Sequence, residues 1–507
     1  MKRRIKGIGV DFEKFVADRS LAPVFFLVIY LIFPVKVSSI DGYGFANQIE
    51  NNESLFHPHH LLYNFTGFYL HQLFSSFWDV NILHFLKIVN AFTAAFTLYI
   101  LDNILKIRSV EGRSRLLWII VVASSWGFMR FATENETYIL PLFFSVSGSL
   151  WLAKYFRNNK SVYLFLAGFF TAFAALFHQI HFFWWLGFPI AFLFYKIDFK
   201  QIFTYALPAL LVPIVYLMVF YSENAHSADH FFEFLFSKYY SGSAELSIDG
   251  RNLILTPINF IRTFLQVHGY MYNLLAQYGL YVFVLVGNMF CFFMALMKIR
   301  NLKKRVGYRN QPFTFAHVCV FILQLIFAFI SHGNAEFMVM LPFVLAIILS
   351  DIFKNSSPFL GYVALGMFSW NMIFGLIPLS KSDVNGDSMV ADFILNQDST
   401  TNPNVFILFN RPRVKNIIDY STKHEPQATL IYIVDFKSKS EVRSFIYDRI
   451  KEGKAVYTDC SQRPKTVSRA SLLVDNQANA FEKFKRQNVD SVEAIAGEYY
   501  LTRLYID

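Results

Sequence analysis

The sequence predicts a polytopic α-helical membrane domain followed by a small α/β domain. Three observations lead to this fold class. Of the 507 residues, 55% are hydrophobic, 19% are aromatic and only 16% are charged, whereas soluble domains average about 25% charged residues. Lys and Arg give a net charge of +10 but lie mainly between apolar segments, as in membrane proteins and not as in a nucleic-acid groove. From about residue 383 the composition changes to short alternating segments.

Eleven apolar segments are predicted to be membrane spans, for which about 20 residues are needed. The first segment is too long for a signal peptide and no small-residue cleavage site follows it, so we expect it to be a retained helix. The eleven segments are 21–38, 83–104, 116–132, 138–155, 162–178, 182–197, 202–220, 272–297, 313–331, 337–353 and 358–378.

Basic residues mark alternate connections between these segments. The basic ones are the start MKRRIK and residues 106–115, 154–160, 195–200 and 298–309. The connections nearly free of Lys and Arg are 39–82, 133–137, 178–181 and 332–336. This alternation predicts a cytoplasmic N-terminus. An odd number of spans then places the C-terminal domain on the non-cytoplasmic side, and the few cysteines and short N-terminus favour a prokaryotic plasma (inner) membrane.

The predicted α/β domain occupies residues 383–507, after a membrane domain of residues 1–380 and the linker SKSDVNGDS. Branched apolar segments predict strands, and the Ser-capped, Gly-ended stretch 440–453 predicts a helix. The predicted strands are 404–409, 428–436, 454–459 and 498–506. No G-x-G-x-x-G opens a helix here, so no nucleotide site is predicted. The three cysteines, Cys291, Cys319 and Cys460, offer no disulfide framework and no zinc spacing.

The connection after the first span carries the main candidate chemistry. Residues 41–64, DGYGFANQIENNESLFHPHHLLYN, hold three acids and three histidines and no Lys or Arg. Asp41 directly follows the span, so its carboxylate can serve as a general base; the alternative is an ordinary solvated acid. The stretch 59–78 predicts helices that lie in the membrane interface, with Tyr69 and Trp78 among the aromatic anchors.

Further acids stand at the same predicted side of the membrane. Glu134 and Glu136, in ENETYILP, can orient an acceptor or a donor hydroxyl, or can simply favour the positive end of a helix dipole. Glu336 lies near the membrane between two spans, where polar groups are costly and tend to be functional.

Histidines and a few cations are the candidate phosphate partners. His57, His59 and His60 can contact a phosphate or bind a metal, since zinc ligands often come as closely spaced histidines. His178 and His181 are three residues apart on one helix face, either for a donor phosphate or sugar or as interface residues. The long connection 221–262 offers the cations Lys238, Arg251 and Arg262.

The order of these motifs resembles the GT-C glycosyltransferases. That family has an Asp after the first helix, then an HPPGYPLY-like or KPPLYYW-like element, then an R-[LV]-P/N-type helix start. The corresponding residues are Asp41-Gly42-Tyr43-Gly44, His57-Pro58-His59-His60-Leu61-Leu62-Tyr63 and Leu86-Lys87-Ile88-Val89-Asn90. The second element is closest to the protein O-mannosyltransferase-like branch, and the family also includes aminoarabinose-transferase-like enzymes. His59 and His60 replace the Pro and Gly of that branch.

The resemblance implies an integral membrane enzyme that transfers a sugar from a polyprenyl-phosphate donor to an acceptor hydroxyl, with inversion, on the non-cytoplasmic face. The acceptor would be a glycan, a lipid or a protein. Asp41 would be the base; Glu134, Glu136 and Glu336 would orient donor or acceptor; His57, His178, His181 and Arg251 would meet the donor phosphate. No cofactor is implied, and a divalent metal is the less favoured alternative. The Arg that the family often has near Glu336 is missing from that segment.

Three other functions remain open at this point. A transporter would show paired halves and broken helices at mid-membrane, whereas this sequence has no internal repeat and its polar groups gather on one side. A polymerase or ligase of lipid-linked glycans shares the layout but usually has an Arg-rich outer loop. A non-catalytic relative would use the C-terminal domain as a binding module.

Overall fold

The computed structural model describes residues 21–222, 230–241, 246, 248–299, 311–351, 358–397, 403–409, 411–422, 428–462, 465–466 and 478–506. Most of these residues are helical, and the strands follow residue 404. The chain divides into two compact units. The first comprises Met1–Pro34, Gln48–Gln266 and Val284–Leu376, and the second comprises Val35–Asn47, Val267–Phe283 and Ile377–Asp507. The domain boundary at 380–383 stays a prediction, but the second unit also takes in two earlier segments of the chain.

The helices follow the apolar segments of the sequence. They are α1 (Ala22–Ile32), α2 (Ile40–Glu50), α3 (Tyr63–Ser75), α4 (Ile82–Ile107), α5 (Gly112–Ala123), α6 (Trp126–Ala132), α7 (Ile139–Asn158), α8 (Ser161–Phe177), α9 (Phe182–Phe194), α10 (Phe199–Ala206), α11 (Leu211–Ser222), α12 (Phe231–Leu235), α13 (Ser237–Tyr240), α14 (Gly250–Phe264), α15 (Tyr270–Gln277), α16 (Leu280–Ile299), α17 (Pro312–Ile330), α18 (Leu341–Ser350), α19 (Pro358–Asn371), α20 (Ile377–Lys381), α21 (Asp387–Gln397), α22 (Pro412–Ser421) and α23 (Lys439–Lys451).

Several of these helices are long and apolar enough to cross a membrane. Within the described parts of the chain, six helical stretches meet the criteria of length and composition, and two of them, Phe199–Ser222 and Pro358–Lys381, are made of consecutive helices. The bent pair α5–α6 raises the number to seven, and four shorter apolar stretches accompany them. The protein is therefore an integral, multi-pass membrane protein. Each predicted span falls on one of these helices or helix pairs, but the count of eleven spans stays a prediction.

The third predicted span, 116–132, is broken into α5 and α6, which meet at an angle of 71°. A break of this kind leaves backbone carbonyls without helical partners. The buried amide of Asn371 supplies one partner, because its Nδ2 donates to the carbonyl of Ser124 at 2.6 Å and to that of Phe264 at 2.7 Å. Its Oδ1 accepts from the backbone N–H of Gln266 at 2.8 Å. This one side chain thus stabilises the bend and ties it to the end of α14.

The second unit contains a mixed sheet. The strands of the described residues are β1 (Val405–Leu408), β2 (Thr429–Tyr432), β3 (Val456–Thr458), β4 (Lys465–Thr466), β5 (Lys485–Ala494) and β6 (Gly497–Tyr505). Their order is β2-β1-β3-β6-β4, and β5 pairs with β6. Strands β1, β2 and β3 are parallel and β6 runs antiparallel to β3. The predicted strands at 404–409, 428–436, 454–459 and 498–506 and the predicted helix at 440–453 all correspond to observed elements.

The stretch predicted to be a linker, SKSDVNGDS, leads into α21 through a hydrogen-bonded turn. Asp383 accepts hydrogen bonds from the backbone N–H groups of Asn385, Gly386 and Ser388. Gly386 has φ of +72°, and a Cβ there would lie 2.3 Å from a Val492 methyl carbon, so the turn needs glycine for conformation and for space. The predicted linker is therefore in part a structured lead into α21.

Candidate active site

The two acids of ENETYILP lie in a buried turn between α6 and α7. Glu134 is 1% exposed and Glu136 is 4% exposed. Asn90 of α4 holds the turn, because its Nδ2 donates to the carbonyl of Glu134 at 2.6 Å and to that of Glu136 at 2.9 Å. Both acids precede the first residue of α7, Ile139. The burial of both carboxylates argues against the alternative that they merely favour a solvated helix end.

Arg130 of α6 pairs with this acidic group, and the buried Lys87 of α4 is also within electrostatic range of Glu134. The Nε of Arg130 donates to Glu134 Oε2 at 3.0 Å, and Glu136 and Glu336 are also within electrostatic range of the guanidinium. Buried carboxylates need such a partner, because removing an unpaired charge from water is costly. Arg130 was not among the site residues predicted from the sequence, and the segment of Glu336 lacks the Arg that the family often has there. The available signal was the four-residue spacing between Arg130 and Glu134.

Glu336 comes to the same group from a distant part of the sequence. The hydroxyl of Tyr138 donates to Glu336 Oε2 at 2.9 Å. The backbone N–H of Glu336 donates to Asn334 Oδ1 at 3.0 Å. The structure therefore brings the three predicted orienting acids together, with Arg130 and Tyr138 as links that the sequence analysis did not single out.

Gly333 allows the segment before Glu336 to pass close to α14. Its φ is +66°, and a Cβ at this position would lie 2.6 Å from the backbone nitrogen of Thr256. The carbonyl of Gly333 accepts a hydrogen bond of 2.7 Å from Asn259 Nδ2. A side chain here is excluded both by conformation and by contact with backbone atoms. Asn259 also accepts from Arg262 Nη1 at 3.1 Å.

Four histidines from two segments form a connected cluster. The ring centroids of His57 and His60 are 5.9 Å apart, those of His59 and His60 are 5.5 Å apart, and those of His60 and His178 are 5.6 Å apart. The His178 ring lies 5.3 Å from the ring of Tyr138. The HPHHLLY element therefore reaches the acidic group through His178 and Tyr138.

His57 is fixed by an amide that the sequence analysis did not single out. Its Nε2 lies 2.8 Å from Gln48 Oε1, and Asn64 Nδ2 donates to the same oxygen at 2.9 Å. Because a carbonyl oxygen accepts only, the His57 proton in this pair is on Nε2. Gln48 lies in the last turn of α2, whose first turn carries Asp41.

His59 has both ring nitrogens buried without a hydrogen-bond partner among the described residues. Burial, with smaller contributions from Lys238 and His57, lowers the pKa of His59 to about 3. Burial and the neighbouring His178 also lower the pKa of His60 well below its ordinary value. Both rings are therefore neutral at pH 7, and His59 holds one unused donor and one unused acceptor.

The remaining predicted residues are placed differently. His181 is buried, its Nδ1 shares a 2.7 Å hydrogen bond with Ser145 Oγ, and its ring stacks on Trp184. Arg251 is exposed and pairs with Asp249 at 2.6 Å. Lys238, by contrast, is within electrostatic range of His59, His60 and His178. Lys238 is thus the cation of the long connection that lies beside the histidine cluster.

Asp41 is exposed in the first turn of α2, and this part of the chain belongs to the second unit. Ser39 precedes it, and Ser39 Oγ accepts from the backbone N–H of Gly42 at 2.8 Å. The connection after the first predicted span therefore begins with the capped start of a helix.

A metal site at the histidines was the alternative prediction from the sequence. Among the residues that the structure describes, no group of three or more His, Cys, Asp or Glu side chains is arranged to hold a metal ion.

Comparison with known proteins decides the fold. Sequence comparison finds neither a matching family model nor a similar curated protein. Among solved structures, ArnT from Cupriavidus metallidurans bound to undecaprenyl phosphate matches with a TM-score of 0.54 at 8% identity, over 96% of this chain and 98% of that chain. The chain has the GT-C fold. The resemblance seen in its motifs is thereby confirmed at the level of fold.

Two further GT-C structures match less closely. The apo form of the same ArnT has a TM-score of 0.47 at 8% identity, over 95% of this chain and 97% of that chain. The oligosaccharyltransferase of Archaeoglobus fulgidus, in complex with zinc and sulfate, has a TM-score of 0.42 at 11% identity, over 94% of this chain and 72% of that chain.

Proposed function

We propose that this chain is a glycosyltransferase that moves a sugar from a polyprenyl-phosphate donor to an acceptor hydroxyl. The observation that carries the proposal is the convergence, within a GT-C fold, of Glu134, Glu136 and Glu336 with Arg130 and a histidine cluster. These groups come from separate connecting segments. Buried titratable groups gathered in this way are typical of functional sites.

The proposed reaction is a single displacement. The acceptor hydroxyl oxygen attacks the anomeric carbon, the bond from that carbon to the phosphate oxygen breaks, and the configuration inverts. The hydroxyl proton passes to the Asp41 carboxylate, which acts as the general base, and polyprenyl phosphate leaves with its added negative charge. The role of Asp41 rests on the family motif and on its exposed place in the first turn of α2.

The leaving phosphate needs hydrogen-bond donors and cations. We assign this role to His59 and His178, with Lys238 as the nearby cation. His57 lies in the same cluster and was expected there from the sequence, but its Nε2 proton is directed at Gln48 Oε1. A neutral His59 ring whose nitrogens have no described partner supplies one N–H donor. Arg251 and His181 keep the role proposed from sequence with less support, because Arg251 is exposed and paired with Asp249 and His181 bonds Ser145.

The three acids suit sugar hydroxyls. Ionised carboxylates accept hydrogen bonds strongly, and those of Glu134 and Glu336 are held by Arg130 and Tyr138. We therefore assign Glu134, Glu136 and Glu336 to the orientation of donor or acceptor. No cofactor is proposed, and activity that survives EDTA would remove the alternative of a divalent metal at the histidines.

The proposed location is a prokaryotic inner membrane with the reaction on the non-cytoplasmic face. Alternating basic and cation-poor connections support this orientation. In a Cys291→Ser background, the exposed positions Ser241 and Lys160 lie in connections of opposite charge character. Ser241→Cys should react with an impermeant thiol reagent in intact cells and Lys160→Cys should not; the reverse result would move the chemistry to the cytoplasm.

A transfer assay tests the function directly. The purified protein in lipid nanodiscs should release polyprenyl phosphate from at least one member of a panel of radiolabelled polyprenyl-phosphate sugars when glycan, lipid and peptide acceptors are supplied. The Asp41→Asn variant is the matched control. Absence of turnover with every donor, together with solute flux in proteoliposomes, would instead identify a transporter.

A further inference from the structure

The segment that carries Asp41 is packed against the C-terminal part of the chain. It belongs to the same compact unit, which joins Val35–Asn47 to Ile377–Asp507. At the N-terminal end of this segment, the backbone N–H of Lys36 donates to the carbonyl of Leu379 at 2.9 Å. Tyr43, Phe45 and Ala46 are buried, whereas Asp41 is exposed. The segment is thus anchored on both sides of an exposed carboxylate.

Helix α22 makes the most specific of these contacts. Asn416 Nδ2 donates to the carbonyl of Ile40, the residue before Asp41, at 2.8 Å. One turn further along α22, the ring of Tyr420 lies 5.9 Å from the ring of Tyr43. A Cβ at Gly44 would lie 3.8 Å from Asn416 Nδ2, in ordinary contact. Two side chains four residues apart, on one face of α22, therefore hold the first turn of α2.

The other face of α22 is buried, and the residue before the helix is tied to the end of β3. Val414, Ile417 and Ile418 are buried. Arg411, directly before α22, is 8% exposed and pairs through Nε with Asp459 at 2.6 Å, at the end of β3.

The same guanidinium binds α21 as well. Its Nη1 donates to Asp387 Oδ1 at 2.8 Å, and it lies over the ring of Tyr499 with its carbon 4.3 Å from the ring centroid. A buried ion pair with several hydrogen bonds is costly to break. The position of α22 is therefore set by its contacts within the α/β domain.

We propose that the C-terminal α/β domain positions the Asp41 segment for catalysis, with Asn416 and Tyr420 as the positioning residues. This inference rests on the proposed function, because it takes Asp41 as the base. A general base works only within hydrogen-bond reach of the proton it abstracts, and a shift of about 1 Å can cost about 100-fold in rate. Neither Asn416 nor Tyr420 need touch the substrate for this role.

Variants of α22 test the proposal in the full-length protein. Asn416→Ala and Tyr420→Ala should each lower kcat about 10-fold, the scale of a lost hydrogen bond with some misplacement, while KM for the donor stays within about twofold. Tyr420→Phe keeps the ring and should recover most of the turnover. Lys415→Ala, an exposed neighbour on the same helix, is the matched control and should match the parent.

Hydrogen exchange gives a readout that does not depend on activity. The amides of residues 40–47 should exchange at least about fivefold faster in Asn416→Ala and in the near-isosteric Asn416→Asp than in the parent, while the amides of β1 and β3 remain as protected as before. Unchanged exchange in 40–47 would overturn the contact. A rise in donor KM with constant kcat would overturn the positioning role.

The two proposals fail in different ways. If Asp41→Asn abolishes turnover but Asn416→Ala and Tyr420→Ala turn over like the parent, the positioning role is wrong and the catalytic assignment stands. If Asp41→Asn is as active as the parent, the catalytic assignment is wrong, and the positioning role falls with it even where exchange in 40–47 shows that the contact exists.

Discussion

Tyr138 donates its hydroxyl proton to Glu336 across 2.9 Å and so joins two connections that are 198 residues apart in the chain. The ring of the same Tyr138 lies 5.3 Å from the ring of His178. One tyrosine thus contacts both the acidic group and the histidine cluster. Its loss is expected to affect the two groups together.

Tyr138→Phe should lower kcat about 10-fold. The change keeps the ring beside His178 but removes the donor to Glu336, and a hydrogen bond to a charged group contributes about 1.5–3 kcal/mol. Turnover of a polyprenyl-phosphate sugar is the measurement. Tyr155→Phe, a buried tyrosine near the other end of α7, is the control. Equal activity of Tyr138→Phe and Tyr155→Phe would mean that Glu336 does not act in the reaction.

Asp41→Asn should lower turnover by about 10²–10⁴-fold, the usual contribution of a general base. The amide preserves size and most hydrogen bonds but cannot take the proton. Donor affinity, measured by binding of a non-hydrolysable polyprenyl phosphonate, should stay within a few fold. Glu50→Gln and Glu53→Gln are controls from the same stretch and should lose much less. Turnover by Asp41→Asn at a near-parental rate would mean that Asp41 is not the base and would make Glu134 and Glu136 the next candidates.

His59→Ala and His178→Ala should weaken use of the donor about 10- to 100-fold in kcat/KM, because each removes a donor to a charged phosphate. His71→Ala is a suitable control, since His71 Nε2 bonds the carbonyl of Val80 within its own connection. Parental values for both variants would remove the histidine cluster from phosphate binding.

The protein should lose stability as the pH falls from about 6.5 towards 3. Burial lowers the pKa of His59 to about 3 and that of His60 well below 6.5. In this window the unfolded chain binds more protons than the folded chain, so acid favours unfolding. Thermal unfolding in detergent across this range is the measurement. His59→Gln removes one of the titrating groups and should flatten the pH dependence; an unchanged slope would contradict the assignment.

Gly333→Ala should destabilise the protein by about 2 kcal/mol or more. Its φ of +66° is unfavourable for alanine, and the new Cβ would lie 2.6 Å from the nitrogen of Thr256. The melting temperature should fall. The turnover rate should fall as well, because Glu336 is three residues away. Gly361→Ala is the control, since a Cβ at Gly361 meets nothing within 4 Å. Equal melting temperatures would show that the segment can move away from α14.

Most of the membrane helices could be predicted because an apolar run long enough to span a bilayer has few other structures open to it. The predictions differ from the structure in detail at helix breaks that the composition does not show. The predicted span 272–297 is two helices, α15 and α16, although the apolar character continues through the break. The bend between α5 and α6 depends on the amide of Asn371, which is 247 residues from Ser124 in the chain.

In the C-terminal domain β1, β2, β3 and β6 were predicted, whereas β4 and the mostly exposed β5 were not. The residues of β5, KRQNVDSVEA, are mostly exposed and lack apolar alternation, so their strand conformation comes from pairing with β6 and not from local preference. Helix α22 was missed as well. Its role as the partner of Ile40 and Tyr43 is a long-range contact that no local pattern contains.

In the candidate site the residue types were predicted but their links were not. The sequence indicated Glu134, Glu136, Glu336, His57 and His178 by charge and position. Gln48, Asn90, Arg130 and Tyr138 hold those residues in place, and each does so across a connection or a helix turn that the sequence order hides. The sequence therefore indicates which side chains can react or bind, but it does not show which of them contact one another.

Asn90 places both carbonyls of the acidic turn under the control of one amide. Moving the turn away from Asn90 would leave both buried carbonyls without this hydrogen-bond donor, and each buried unsatisfied acceptor costs free energy. The turn is therefore expected to keep one conformation. If Glu134 and Glu136 orient the sugar as proposed, a sugar whose hydroxyls do not match the shape of this turn would bind poorly, and the turn would select sugars by shape.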